Sequence, residues 1–164
     1  MVAVGWNARP EPGVTFLDVG KGDAAVVRCP SGETWLVDTG PPPASRDLLL
    51  DALARAGVYD VDGVILTHAH DDHFGGLVTL ARFSGPFELA LSEQTLSGIA
   101  DLAELVRTMG GSIRVLREGD KVIPECGVDS VVLLAPPARQ IGPAGELGEN
   151  DSSLVFRLGP PGMD

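Results

Sequence analysis

Hydrophobic and polar positions alternate in short runs over the first forty residues, then give way to longer helical stripes. Residues 14–19 read as a strand, with alternation at Val14, Phe16 and Asp18. Residues 20–23 (Gly-Lys-Gly-Asp) form a turn, and 24–29 are the next strand. Residues 30–33 (Pro-Ser-Gly-Glu) make a hairpin turn, and 34–37 return. Three strands joined by short turns predict an antiparallel meander, an opening that a doubly wound nucleotide fold would not show. Pro41-Pro42-Pro43 is a stiff connector. Ser45 is placed to cap a helix over 46–56, with Leu49, Leu53 and Ala56 as its apolar stripe and Gly57 as its stop. The run at 61–66 is short, β-branched and ended by a polar turn, which predicts a buried strand. A short helix over 77–82 and a strand over 87–91 follow. A long amphipathic helix spans 93–109, with Leu96, Ile99, Ala103 and Val106 on one face and Gly110-Gly111 at its end. Further strands are predicted at 112–116, 128–134 and 154–158. A turn at Gly119-Asp120 leads into 121–123, and a Gly- and Pro-rich loop covers 136–149. The pattern amounts to an N-terminal tail (1–13) and one α/β domain of α+β type (14–164), with mixed strands and two substantial helices.

Composition narrows this picture. A chain of 164 residues can bury a real core, and 44% hydrophobic residues with 21% charged ones mark a globular protein. No apolar run approaches the ~18 to 20 residues needed to span a bilayer. The first ten residues carry a brief apolar patch without a basic region, so they read as a tail rather than a signal peptide. The formal charge of −11 argues against broad binding to polyanions, although a local positive groove would suffice for a nucleic acid. Arg107, Arg114, Arg117 and Lys121 cluster late in the chain and read as a solvated face before a phosphate track. Cys29 and Cys126 form no CxxC pattern, which excludes zinc-ribbon and thioredoxin readings. Both flank strand-like sequence and read as buried thiols; a disulfide would require the fold to bring them together.

The chemistry concentrates in Thr67-His68-Ala69-His70-Asp71-Asp72-His73, which holds all three histidines of the chain. It follows the buried strand and precedes Phe74-Gly75-Gly76-Leu77, where a tight loop turns into a helix. Three imidazoles and two carboxylates therefore sit at a strand's C-terminal edge, where open α/β sheets place their ligands. His68 and His70 can converge on one cation, and Asp72 and His73 can face a second. Imidazole and carboxylate together suit zinc, manganese or iron. Two such metals sharing a hydroxide make a hydrolytic nucleophile at neutral pH, with Asp72 beside it. Asp38, at the end of the third strand, could accept a hydrogen bond from the second ring nitrogen of a metal-bound histidine, or simply shape an Asx turn. Asp18 and Asp23 are weaker candidates for the same rim. Ser152 and Ser153 lack a histidine outside the metal loop to activate them as nucleophiles.

His68-x-His70-x-Asp72-His73 after an apolar strand resembles the metallo-β-lactamase fold superfamily. Three flanking stretches narrow the resemblance: residues 16–24 (Phe-Leu-Asp-Val-Gly-Lys-Gly-Asp-Ala), 35–40 (Trp-Leu-Val-Asp-Thr-Gly) and 150–155 (Asn-Asp-Ser-Ser-Leu-Val). In combination they are similar to the ComEC-type competence proteins, from about Val14 to the end of the chain. That family usually has glutamine where this chain has Lys21. The resemblance implies an αββα sandwich with two divalent metals, zinc or manganese, between its halves. It implies a nuclease that degrades one strand of incoming DNA, carried outside the bilayer by a membrane-associated protein. It also supports the orienting role for Asp38 and puts Asn150-Asp151 near the substrate cleft.

The family continues past Leu158 into a threonine-glycine-aspartate turn whose aspartate bridges the metals, and then to a further histidine pair. No histidine follows His73 here. The expectation is a first half plus the opening strands of a second. Such a chain would hold metals at partial occupancy, be inactive by itself, and be prone to self-association through an uncovered sheet face. Single-stranded DNA or another phosphodiester is the expected partner. A small-molecule hydrolase of the same fold, acting on a lactone, thioester or β-lactam, and a non-catalytic metal-binding or assembly module are the competing readings.

Overall fold

The computed structural model describes residues 11–43, 47–134 and 153–159. Three strands open the chain: β1 (Gly13–Phe16), β2 (Ala25–Arg28) and β3 (Thr34–Val37). They pair antiparallel in that order, as the predicted meander requires. Beyond β3 the topology changes. Helix α1 (Leu48–Arg55) crosses to β4 (Gly63–Leu66), which lies parallel to β3. Helices α2 (Asp71–Phe74) and α3 (Leu77–Phe83) then lead to β5 (Glu88–Leu91). Helices α4 (Glu93–Gly98) and α5 (Ala100–Thr108) lead to β6 (Ser112–Val115). Both of these strands are again parallel to their predecessors, so one six-stranded sheet runs β1-β2-β3-β4-β5-β6.

Strand period decides which side chains face which layer. Val64 and Leu66 of β4 point to the helices with Leu36, Leu89 and Leu91, and meet Leu49, Leu53, Leu77 and Leu80. Ile65 and Ala90 point the other way, with Val27 and Trp35. All of β4 is buried, as expected of a strand covered on both faces. Each large aliphatic side chain withdrawn from water in these layers contributes about 1.5–3 kcal/mol.

The second cover is a two-stranded antiparallel sheet, β7 (Asp129–Leu134) and β8 (Val155–Gly159). Val132, Leu154, Val122 and Ile123 close that core against Trp35 and Ile65. Arg114 reinforces the seam: its guanidinium contacts Glu88, lies 6.0 Å from the centroid of Trp35 and donates to the carbonyl oxygens of Lys121 and Val122. Arg107 pairs with Glu104 at 3.3 Å, so two of the four clustered cations have structural partners. On the edge strand β1, Val14 and Phe16 remain exposed, Phe16 at 85%.

Three sequence expectations are corrected. Cys29 and Cys126 are not free thiols: they form a disulfide across 97 residues, buried in the core between the sheets. The long helix is two helices, broken at Ile99 (φ −127°, ψ 32°). The side chain that caps α1 is Asp47, whose Oδ1 accepts from Leu50 N at 3.0 Å. Ser45, the loop at 136–149, Asn150, Asp151 and Ser152 lie outside the described residues.

Candidate metal centre

Main-chain bonds from three elements fix the histidine loop. Asp38 N donates to Ile65 O at 2.9 Å, extending the β3–β4 ladder by one step. Thr39 N donates to His73 O at 2.6 Å, and Asp23 N to Asp72 O at 3.2 Å. Leu154 N, from the second sheet's side, donates to Thr67 O at 2.7 Å. Gly22 belongs to the same clasp, because a Cβ there would stand 2.3 Å from the Asp72 carbonyl oxygen. The loop then turns into α2 with His70 as its N-terminal flank.

The side chains converge within this frame. His68 Nε2 and His70 Nδ1 are 3.1 Å apart, and the His68 and His73 ring centroids are 4.0 Å apart. His73 Nδ1 lies 2.8 Å from Asp38 Oδ2. Its Nε2 faces the Oδ2 atoms of Asp23 at 3.8 Å and Asp72 at 3.9 Å. Thr67 reaches the same buried carboxylate twice, through its N to Asp38 Oδ1 at 2.8 Å and its Oγ1 to Asp38 Oδ2 at 2.8 Å. Thr67 Oγ1 also lies 2.9 Å from His68 Nδ1. Asp38 has φ +56°, the only non-glycine residue in that region among those described.

Electrostatics divide the buried His68 ring from the partly buried His73 ring. Burial, then the neighbouring His73, hold His68 below the usual histidine range. The hydrogen bond with Asp38 lifts His73 above it, against the effect of burial, with the charges of Asp38, Asp72 and Asp23 adding to the rise. His68 is therefore a neutral ring at neutral pH, the form that binds a metal.

The structure thus brings together His68, His70, His73 and Asp38, and leaves Asp72 at the rim with its side chain 55% exposed. Among the described residues, no group of three or more His, Cys, Asp or Glu is gathered closely enough to hold an ion by itself. The nitrogen pair nevertheless fits one: tetrahedral zinc with bonds of about 2.0–2.1 Å sets two nitrogens roughly 3.3 Å apart, against 3.1 Å here. Sequence reasoning overlooked Thr67, although a hydroxyl residue between a strand end and a metal motif was a usable signal. The site opens on a cleft of about 440 Å³ walled by Phe16, Val37 and Leu154.

Comparison with known proteins bears on the fold and the family. The model of the metallo-beta-lactamase superfamily matches residues 17–155. ComE operon protein 3 of Bacillus subtilis is 26% identical over 168 residues, covering 92% of this chain and 21% of that protein. Among solved structures, the subclass B3 metallo-beta-lactamase BJP-1 of Bradyrhizobium japonicum superposes with a TM-score of 0.63 at 18% identity, over 90% of this chain and 54% of that one. A diphosphatase from the PhnP family gives 0.54 at 18% identity, over 85% and 49%. The chain spans about half the length of these solved structures and about a fifth of the curated relative. With the fold, the histidine loop and a family match over most of its length in agreement, the chain belongs to the metallo-beta-lactamase superfamily.

Proposed function

We propose that this chain contributes metal ligands to a two-metal hydrolase site acting on phosphodiesters, with single-stranded DNA as the favoured substrate. The observation that carries the reading is the pairing of His68 Nε2 with His70 Nδ1, one ring away from His73 and its carboxylates, at the mouth of one cleft. His68 and His70 would hold one divalent ion, and Asp72 and His73 the other. Asp38 would fix the His73 ring. Bound zinc or manganese would supply a water acidic enough to attack at neutral pH and a clamp for the attacking and leaving oxygens. Each ion would receive only half a shell from these residues, so partial occupancy is expected of the isolated chain, and the whole site is needed for turnover. Phe16, Val37 and Leu154 give the cleft an apolar wall.

The choice of phosphorus over carbonyl chemistry rests on the resemblance of residues 16–24, 35–40 and 150–155 to the ComEC-type competence proteins. The test is hydrolysis of bis-p-nitrophenyl phosphate and of nitrocefin by the protein that carries this chain, with manganese or zinc added. Phosphodiester cleavage abolished by His68→Ala is the expected outcome. Nitrocefin turnover alone would favour a small-molecule hydrolase. Metal binding with neither activity would favour a non-catalytic module.

A further inference from the structure

We infer that Thr67 is a positioning residue: its hydroxyl carries the influence of the single carboxylate of Asp38 to a second histidine, so that His68 and His73 both keep the proton on Nδ1 and present Nε2 to a cation. This rests on the metal-centre reading above and adds a residue to it.

The argument is a count of donors and acceptors. An ionised carboxylate only accepts hydrogen bonds, and a hydroxyl has one proton to give. Thr67 Oγ1 sits 2.8 Å from Asp38 Oδ2, so its proton points there. Toward His68 Nδ1, 2.9 Å away, the same oxygen can then only accept. His68 Nδ1 must therefore carry the ring proton, which leaves a lone pair on Nε2. His73 Nδ1 donates directly to the same Oδ2 at 2.8 Å, which leaves its Nε2 facing Asp72 and Asp23. The remaining oxygen, Oδ1, receives Thr67 N at 2.8 Å. His68 Nε2 accepts from His70 Nδ1 across 3.1 Å, and for both nitrogens to hold a cation the His70 ring proton would move from Nδ1 to Nε2 by exchange with solvent, leaving the ring neutral. Hydroxyl and carboxylate groups behind metal-binding histidines act in this way, by setting the tautomer and the ring angle.

The test reads ring protons rather than activity. Long-range proton–nitrogen correlation spectra of the ¹⁵N-labelled, metal-free 164-residue chain at pH 8 should show His68 and His73 as Nδ1–H tautomers. Thr67→Val strands the His68 Nδ1 proton, so His68 should move to the Nε2–H form while His73 stays unchanged. Thr67→Ser should restore the wild-type spectrum. Zinc affinity, measured by competition with a chromophoric chelator, should fall about 10-fold or more in Thr67→Val and recover in Thr67→Ser. A wild-type His68 in the Nε2–H form, or a His68 tautomer indifferent to Thr67→Val, overturns the inference. If Thr67→Val does not fold, the wild-type and Thr67→Ser spectra still decide it. If the chain binds no zinc, the metal-centre reading falls while the ring signals separately settle the role of Thr67.

Discussion

At φ +56° an aspartate occupies a region that costs most side chains about 1–2 kcal/mol, with aspartate and asparagine among the more tolerant. Asp38 is held there by the three hydrogen bonds its carboxylate receives from Thr67 N, Thr67 Oγ1 and His73 Nδ1. Asp38→Ala removes both acceptor oxygens and leaves three part-buried donors unpaired. Urea unfolding should show a loss of about 2–4 kcal/mol. A second carboxyl behaves oppositely. Glu33, with its Oε2 buried at the hairpin turn, is held above the usual carboxylate range by desolvation and then by the charges of Asp62 and Glu125. Its folded form prefers the proton. Stability should therefore fall as pH rises from the ordinary carboxylate value through the raised folded value. Glu33→Gln should abolish that fall and raise the melting temperature at pH 7, as a pair of thermal scans at pH 4 and pH 7 would show. At this scale the histidine loop was legible, because chemistry of that kind needs adjacent residues. Thr67 was not, because its role depends on Asp38, 29 positions away, meeting it at the sheet edge.

The elements follow from periodicity where packing agrees with it. Strands β1 to β6 lie within a few residues of their predicted spans, since alternation and β-branching report burial on a pleated surface. Helix α1 begins where a side chain can satisfy its first orphan amides, and Asp47 does so. Asp47→Ala should lower stability by about 1 kcal/mol in chemical denaturation, with no effect on metal affinity. The break between α4 and α5 could not be read, because Leu96, Ile99, Ala103 and Val106 keep a helical spacing across it. Its context is tertiary: a Cβ on Gly98 would stand 2.7 Å from the Ala69 Cβ, so α4 ends packed against the histidine loop. A continuous hydrophobic stripe says which face is buried, not whether the axis runs straight.

At the scale of the whole molecule, two sheets enclose one core, and the covalent tie between them is the Cys29–Cys126 bond. Cys29 follows β2 in the first sheet, and Cys126 sits on the approach to β7 in the second. No spacing rule links two cysteines 97 residues apart, so the bond was invisible in one dimension. Closing a loop of that length in the unfolded chain is worth about 4–5 kcal/mol. The double variant Cys29→Ala/Cys126→Ala should lose that amount, seen as an earlier guanidinium midpoint, while reductant added to the variant changes nothing further. The second sheet's side also reaches the histidine loop through Leu154 N and Thr67 O, so loosening it should weaken zinc retention as well.

The inter-sheet crosslink makes the state of this protein depend on the history of its synthesis. Matured where thiols are kept reduced, the chain would leave the ribosome as a dithiol whose halves are apposed by packing alone. Matured among disulfide donors, the same gene would yield a fastened form. Non-reducing electrophoresis of material from the two kinds of expression host should resolve them as separate bands.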